Sequence, residues 1–145
     1  MITGSVRFLR ELQRLGCRMF LASGTDDGDV KEEARFLGVY DCFELVKGAP
    51  AGSFGCSKEL VMRRLLESAG PNAHMTVFGD GRVEIALARR FGATAVGIAS
   101  DEARRRGIDE HKRARLEAAG ADAIFGDFTE TDRLVRLVME GIRHD

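Results

Sequence analysis

An α/β fold built on a doubly wound parallel sheet is what this sequence predicts. Helical and strand-like stretches alternate along nearly all of its 145 residues. The strand-like ones are short and apolar, and Met19-Phe20-Leu21-Ala22 is a continuous run of the kind found where both faces of a strand are buried. Punctuation is the third sign: Gly16, Gly38 and the Gly70-Pro71 pair stand where helical periodicity breaks off.

Val6–Leu15 carries Phe8, Leu12 and Leu15 on one helical face, with Arg7, Arg10, Glu11 and Arg14 largely elsewhere. Arg18–Ala22 follows as a strand, closed at once by the turn Ser23-Gly24-Thr25. Asp26, Asp27 and Asp29 crowd the start of the next helix, where acids complement the positive end of the helix dipole, and Val30, Ala34 and Leu37 form its apolar stripe. Cys42–Val46 is a second strand, and Lys47–Cys56, holding Gly48, Pro50, Gly52 and Gly55, reads as the most flexible segment. Ser57 can cap a helix running to about Ser68, with Val61 and Leu65 inward. The remaining strands are Met75–Phe78, Thr94–Ala99 and Ala123–Phe125. A helix after Gly81 places Val83, Leu87 and Phe91 at i, i+4 and i+8, helical stretches fill Asp101–Ala119, and Thr129–Ile142 is a closing amphipathic helix. Folds of this class normally open with a strand, whereas here a helix starts after four or five residues.

A hydrophobic content of 44% in 145 residues suits a single domain with a sizeable core. The 22 basic and 23 acidic residues leave a net charge of −1, which calls for neither nucleic acid nor an anionic membrane as partner. Cys17, Cys42 and Cys56 fall in no metal-ligand spacing and read as reduced thiols, pointing to the cytoplasm. No apolar run approaches the ~20 residues needed to span a bilayer, and Met1–Ser5 lacks the regions of a signal peptide. Arg104-Arg105-Arg106 with Lys112, Arg113 and Arg115 is interleaved with acids and reads as a solvated helical face, with a phosphate-steering patch as the minor alternative. His74, His111 and His144 are scattered and take no role.

Chemistry concentrates at three turns. Met75-Thr76-Val77-Phe78-Gly79-Asp80-Gly81-Arg82-Val83-Glu84 feeds a buried strand into a glycine-flanked aspartate and then a helix. Asp80 thus stands at the carboxyl end of a strand, where open α/β sheets bind ligands, and Glu84 lies one helical turn on. Two such carboxylates suit Mg²⁺, with waters and a phosphate completing its shell. A capping acid plus a surface acid is the plainer reading, although a cap does not require flanking glycines. Ser23-Gly24-Thr25 can present a hydroxyl and backbone N–H groups to a phosphate, or be an ordinary turn. Lys58 can neutralise phosphoryl oxygens, or be a solvated lysine opening a helix. Two nucleotide motifs fail: the dinucleotide pattern lacks its third glycine, which is Glu84, and a phosphate loop needs Gly-Lys-Ser/Thr where the chain reads Ser57-Lys58-Glu59.

Taken together and in this order, the three turns resemble the haloacid dehalogenase-like phosphohydrolases, from about Val6 to Phe128. Leu21-Ala22-Ser23-Gly24-Thr25 looks like the family's second motif, Lys58 like its third and Gly79-Asp80-Gly81-Arg82-Val83-Glu84 like its fourth. The resemblance implies that Ser23, with Gly24 and Thr25, binds the phosphoryl group of a small phosphorylated molecule. It implies further that Lys58 stabilises phosphoryl group and nucleophile, and that Asp80, supported by Glu84, holds Mg²⁺. Lys47 is a weaker claimant to the lysine role.

The family's first motif, a strand ending in Asp-x-Asp whose first aspartate attacks phosphorus, has no counterpart in the sequence. Asp27-Gly28-Asp29 has the spacing but lies inside the second motif's turn, and Asp127 follows Ala123–Phe125 without a second acid two residues on. The cap insertion is absent too. In the family's sheet the missing strand is central, between the strands corresponding to Arg18–Ala22 and Met75–Phe78. Its absence would leave two edges to close on each other, to take up the N-terminal segment, or to be covered by a homo-oligomer or complementing chain. The expectation is a haloacid dehalogenase-like core, a fragment of a longer phosphatase, that keeps the phosphate and metal half of the site without the nucleophile. The alternative is a non-catalytic phosphate-binding or protein-interaction module. A receiver-like domain is disfavoured, since it needs an aspartate after an early strand, where this chain has Ser23-Gly24-Thr25.

Overall fold

The structure, a computed structural model, describes residues 2–49, 58–70, 73–104 and 107–140. Its elements are α1 (Ser5–Arg14), β1 (Phe20–Asp26), α2 (Asp27–Phe36), a 3-10 turn (Tyr40–Cys42), β2 (Leu45–Ala49), α3 (Lys58–Ala69), β3 (Thr76–Gly79), α4 (Arg82–Arg90), β4 (Thr94–Ile98), α5 (Glu110–Ala119), β5 (Ala123–Phe125) and α6 (Thr131–Glu140). All strand pairings are parallel, in a β1–β2 sheet and a β3–β4–β5 sheet, so the α/β class read from the alternation is the one adopted. The chain divides into two compact units, Met1–Phe8 with His74–Asp145, and Leu9–Ala73. Ser57, Pro71, the residue pair Arg105-Arg106, Cys56, His144, Ile142 and the 50–56 part of the glycine-rich segment lie outside the described residues.

In the three-stranded unit, register decides what each face can accept. Gly79 pairs with Gly97 and Val77 with Ala95, so one face of the sheet carries small residues. A Cβ added at Gly97 would lie 3.0 Å from Leu116 Cδ1, which shows how closely α5 approaches there. Leu116, Ile85 and Ala88 are buried in the resulting helix layer. Phe78 alternates to the other face and meets Phe8 and Phe128 at centroid distances of 5.3 and 6.0 Å. An edge-to-face Phe8–Phe78 contact of this kind adds to simple area burial.

Strand burial departs from expectation at β1 and β3. β4, with a partner on both sides, is buried throughout, whereas β3 is only half-buried along its length. Phe20, Leu21 and Ala22 of β1 are half-buried as well, not enclosed on both faces. β1 and β3 each stand at an end of their own sheet, but so does β2, whose Val46, Gly48 and Ala49 are buried. The N-terminal segment enters as helix α1.

Several boundaries also move. β1 continues past Ala22 to Asp26, because pairing with β2 resumes at Asp26–Ala49 after a bulge. The expected strand at Cys42–Val46 is a 3-10 turn followed by β2, which takes in Lys47 and Gly48. On α4 the buried positions are Glu84, Ile85 and Ala88, and Val83 is 54% exposed. The sequence stripe through Val83 is therefore rotated from the face that meets the sheet.

Other readings hold. Phe8 and Leu12 are buried on α1, Val30 and Ala34 on α2, and Val61 on α3. The basic cluster is ion-paired, with Lys112 to Glu102, Arg113 to Glu110 and Glu117, and Arg104 to Asp101. Among the described residues no helix is long and apolar enough to cross a membrane. Ile85→Ala is expected to cost about 2–5 kcal/mol in denaturant unfolding and Val83→Ala to stay within about 0.5 kcal/mol. Equal costs at the two positions would contradict the observed face of α4.

Candidate functional site

The turn after β3 is shaped by what its glycines leave out. Gly81 is the N-cap of α4, with extended backbone (φ −121°, ψ 153°) and no side-chain cap, so Asp80 is not the cap. Glu84 stands at the third helical position, from which an acid can reach back over the first turn. It does so here: a Cβ on Gly79 would fall 2.7 Å from Glu84 Cβ, and one on Gly81 would fall 2.8 Å from Glu84 Oε2. The glycines are required for this close approach rather than for a left-handed backbone. Glu84 is only 9% exposed, which removes the surface-acid reading, while Asp80 at the tip is exposed.

Asp80 and Glu84 thus lie on one short turn, Asp80 exposed at its tip and Glu84 folded over Gly79 and Gly81. Their hard oxygen donors suit Mg²⁺, a cation usually held by one or two carboxylates with waters and a phosphate. No group of three or more His, Cys, Asp or Glu able to hold a metal occurs among the described residues, so a cation here would depend on water or substrate oxygens.

Ser23, Gly24 and Thr25 sit in the bulge of β1. Ala22 pairs with Lys47 and Asp26 with Ala49, so two extra residues are pushed out of register between them. The half-buried Ser23 accepts the Thr25 N–H on Oγ at 3.1 Å, which fixes the turn locally. Asp26 caps α2, its Oδ1 accepting from Gly28 N at 3.0 Å and Asp29 N at 3.3 Å. Those two helix N–H groups are therefore already bonded within the chain. Lys58 is the first residue of α3, half-buried, and α3 packs against β1. Lys47, the weaker claimant, lies in β2 opposite Ala22, next in sequence to Gly48.

Asp27 has a role that spacing did not reveal. Its Oδ1 accepts the Gly48 N–H at 2.8 Å and its Oδ2 pairs with Lys31 Nζ at 2.7 Å. The Gly48 bond first, and the Lys31 bond second, hold this carboxyl below the usual aspartate range. The one available signal was Gly48 itself, since a glycine inside a strand often marks close backbone approach. Asp127 is similarly engaged, accepting Thr129 N at 2.9 Å and Thr129 Oγ1 at 2.6 Å. Both acids offered by the sequence as substitutes for the missing nucleophile are thus tied into turns. Of the sequence-derived site residues, Ser23, Gly24, Thr25 and Lys58 belong to the unit Leu9–Ala73, and Asp80 and Glu84 to the other.

Parallel strands with turns at their carboxyl ends are the feature at which open α/β folds bind ligands. The sequence matches the haloacid dehalogenase-like hydrolase profile over residues 2–92, and the chain belongs to that family. No curated protein matches it. Solved structures agree in fold. A predicted phosphatase from Clostridium acetobutylicum is 20% identical with a TM-score of 0.71, covering 93% of this chain and 60% of its own. A haloacid dehalogenase-like family protein from Streptococcus pneumoniae is 16% identical with a TM-score of 0.70, covering 92% and 59%. A predicted phosphoglycolate phosphatase from Haemophilus somnus is 16% identical with a TM-score of 0.72, covering 92% and 56%. The chain spans well under two thirds of the length of each of these structures.

Two outcomes follow. Gly79→Ala is expected to cost about 1–3 kcal/mol, because its Cβ meets the fixed Cβ of Glu84. In a double-mutant comparison Glu84→Ala should relieve Gly81→Ala, whose clash is with a carboxylate oxygen, and leave Gly79→Ala unrelieved. For Asp27 the sign is that of a depressed carboxyl: its stabilisation is complete above the usual value of about 4 and is lost as pH falls through the lower folded value. The advantage of the wild type over Asp27→Asn in thermal melts should therefore shrink below about pH 4; a gap constant with pH would contradict this.

Proposed function

We propose that this chain provides the phosphoryl-binding and metal-binding residues of a Mg²⁺-dependent phosphohydrolase acting on a small phosphorylated molecule in the cytoplasm. The observation that carries it is the Gly79-Asp80-Gly81 turn with Glu84 folded over it, in a chain of the haloacid dehalogenase-like hydrolase family. A buried acid accommodated by two glycines serves a metal site better than it serves a helix cap. In this reading Ser23, with the backbone of Gly24 and Thr25, binds the phosphoryl group and Lys58 neutralises its oxygens. Asp80 and Glu84 hold Mg²⁺, which when bound supplies charge stabilisation to phosphoryl oxygens.

These residues include no attacking carboxylate. Asp27 is held by Gly48 and Lys31 and Asp127 by Thr129, so neither is placed to serve as one. Positioning without a nucleophile leaves little turnover. Catalysis thus requires a carboxylate supplied from a complementing chain or segment, and the same engagement of both acids also favours the second reading, a non-catalytic phosphate-binding or interaction module. Adding a strand peptide that ends in Asp-x-Asp distinguishes them, because recovered turnover supports the hydrolase and none supports the module.

The direct test is Mg²⁺ titration and aryl-phosphate hydrolysis by the chain alone. Asp80→Asn is expected to weaken Mg²⁺ binding at least about tenfold, ~1.4 kcal/mol, and hydrolysis should remain near background. Equal Mg²⁺ affinity in wild type and variant would refute the metal assignment. Robust turnover abolished by Asp80→Asn would refute catalytic incompleteness.

A further inference from the structure

The bulge that carries Ser23 is an irregular piece of strand, and something must hold it at one geometry. Its own bonds are local: Ser23 Oγ takes the Thr25 N–H, and Asp26 caps the helix that follows. What ties it to the neighbouring strand is different. Asp27 accepts the Gly48 N–H at 2.8 Å, across 21 residues of sequence. Gly48 lies so close that a Cβ there would stand 2.5 Å from Thr25 O, 2.6 Å from Asp27 Cα and 2.7 Å from Asp27 N. The end of β2 is thereby pressed against the backbone of residues 25–27, and the Asp27 carboxylate fastens it there beside the Asp26–Ala49 pairing.

We propose that Asp27 is the positioning residue of the Ser23 turn: by accepting the Gly48 N–H it clamps the bulge of β1 to the end of β2 and so sets where the Ser23 hydroxyl stands. The inference rests on the phosphoryl-binding role proposed for Ser23. Asp27 itself touches no ligand in this scheme. Lys31 neutralises the second carboxylate oxygen without reaching Gly48, so it is accessory to the clamp. The depressed ionisation of Asp27 agrees with a carboxylate stabilised by this backbone donor.

The test combines amide exchange at Thr25 and Gly48 with titration of inorganic phosphate, using the whole chain. In Asp27→Ala, exchange at both amides should accelerate at least about tenfold while amides of β4 stay protected, and phosphate affinity should fall about tenfold. Asp27→Asn, which keeps a weaker, uncharged acceptor for Gly48, should recover most of both, and Lys31→Ala in the wild-type background should leave both near the wild-type values. Gly48→Ala should reproduce the Asp27→Ala phenotype by forcing the backbones apart. Unchanged exchange in Asp27→Ala overturns the proposal, as does undiminished phosphate affinity in a protein whose Ser23→Ala variant has lost it. If the wild type binds no phosphate, or Ser23→Ala binds it equally, it is the Ser23 reading that fails; the exchange rates then decide by themselves whether Asp27 clamps the turn.

Discussion

A carboxylate laid against glycine backbone is the contact on which both candidate turns depend. At one, Asp27 reaches Gly48 and takes its N–H; at the other, Glu84 folds over Gly79 and Gly81. In each case the acid can approach because the glycine has no side chain, and even one methyl group would stand within 3 Å of it or of its backbone. The conformational freedom of glycine is secondary at these positions, and its small volume is what matters. Polar groups drawn this far under a turn must be met by donors or cations, since unpaired burial is costly.

The same economy of volume runs through the three-stranded unit. Gly97 admits Leu116, and the Gly79–Gly97 pairing places the two smallest residues side by side on the face toward the helices. Large residues collect on the opposite face, where Phe8, Phe78 and Phe128 form one aromatic group. The Gly79-Asp80-Gly81 turn therefore follows a strand whose face toward α4 and α5 is pared down and whose other face is filled.

Much of this was legible. Alternating periodicities gave the α/β class, and glycine stops placed helix ends because a positive φ follows the last turn at Gly16, Gly38 and Gly70. What escaped depended on tertiary contacts. Val83, Leu87 and Phe91 mimic an inward stripe, but α4 turns a glutamate and an alanine toward the sheet beside Ile85, and pattern rules do not expect an acid there. The half-burial of β1 and β3 is a tertiary property, which no local run of apolar residues encodes. Asp27 looked like an ordinary first-turn acid because its partner is distant in sequence. Ser23, Lys58, Asp80 and Glu84 were recognisable as candidates only in combination and order, and the proximity of Glu84 to its glycines emerged from the coordinates.

Two of the strands at sheet ends, β1 and β3, carry a consequence for the isolated polypeptide in solution. Their runs Phe20-Leu21-Ala22 and Thr76-Val77-Phe78 hold neither lysine nor proline, the residues that ordinarily discourage intruding strands. With a net charge of only −1, long-range repulsion between molecules is too feeble to keep such edges apart. Self-association of the purified chain would accordingly track concentration far more than salt.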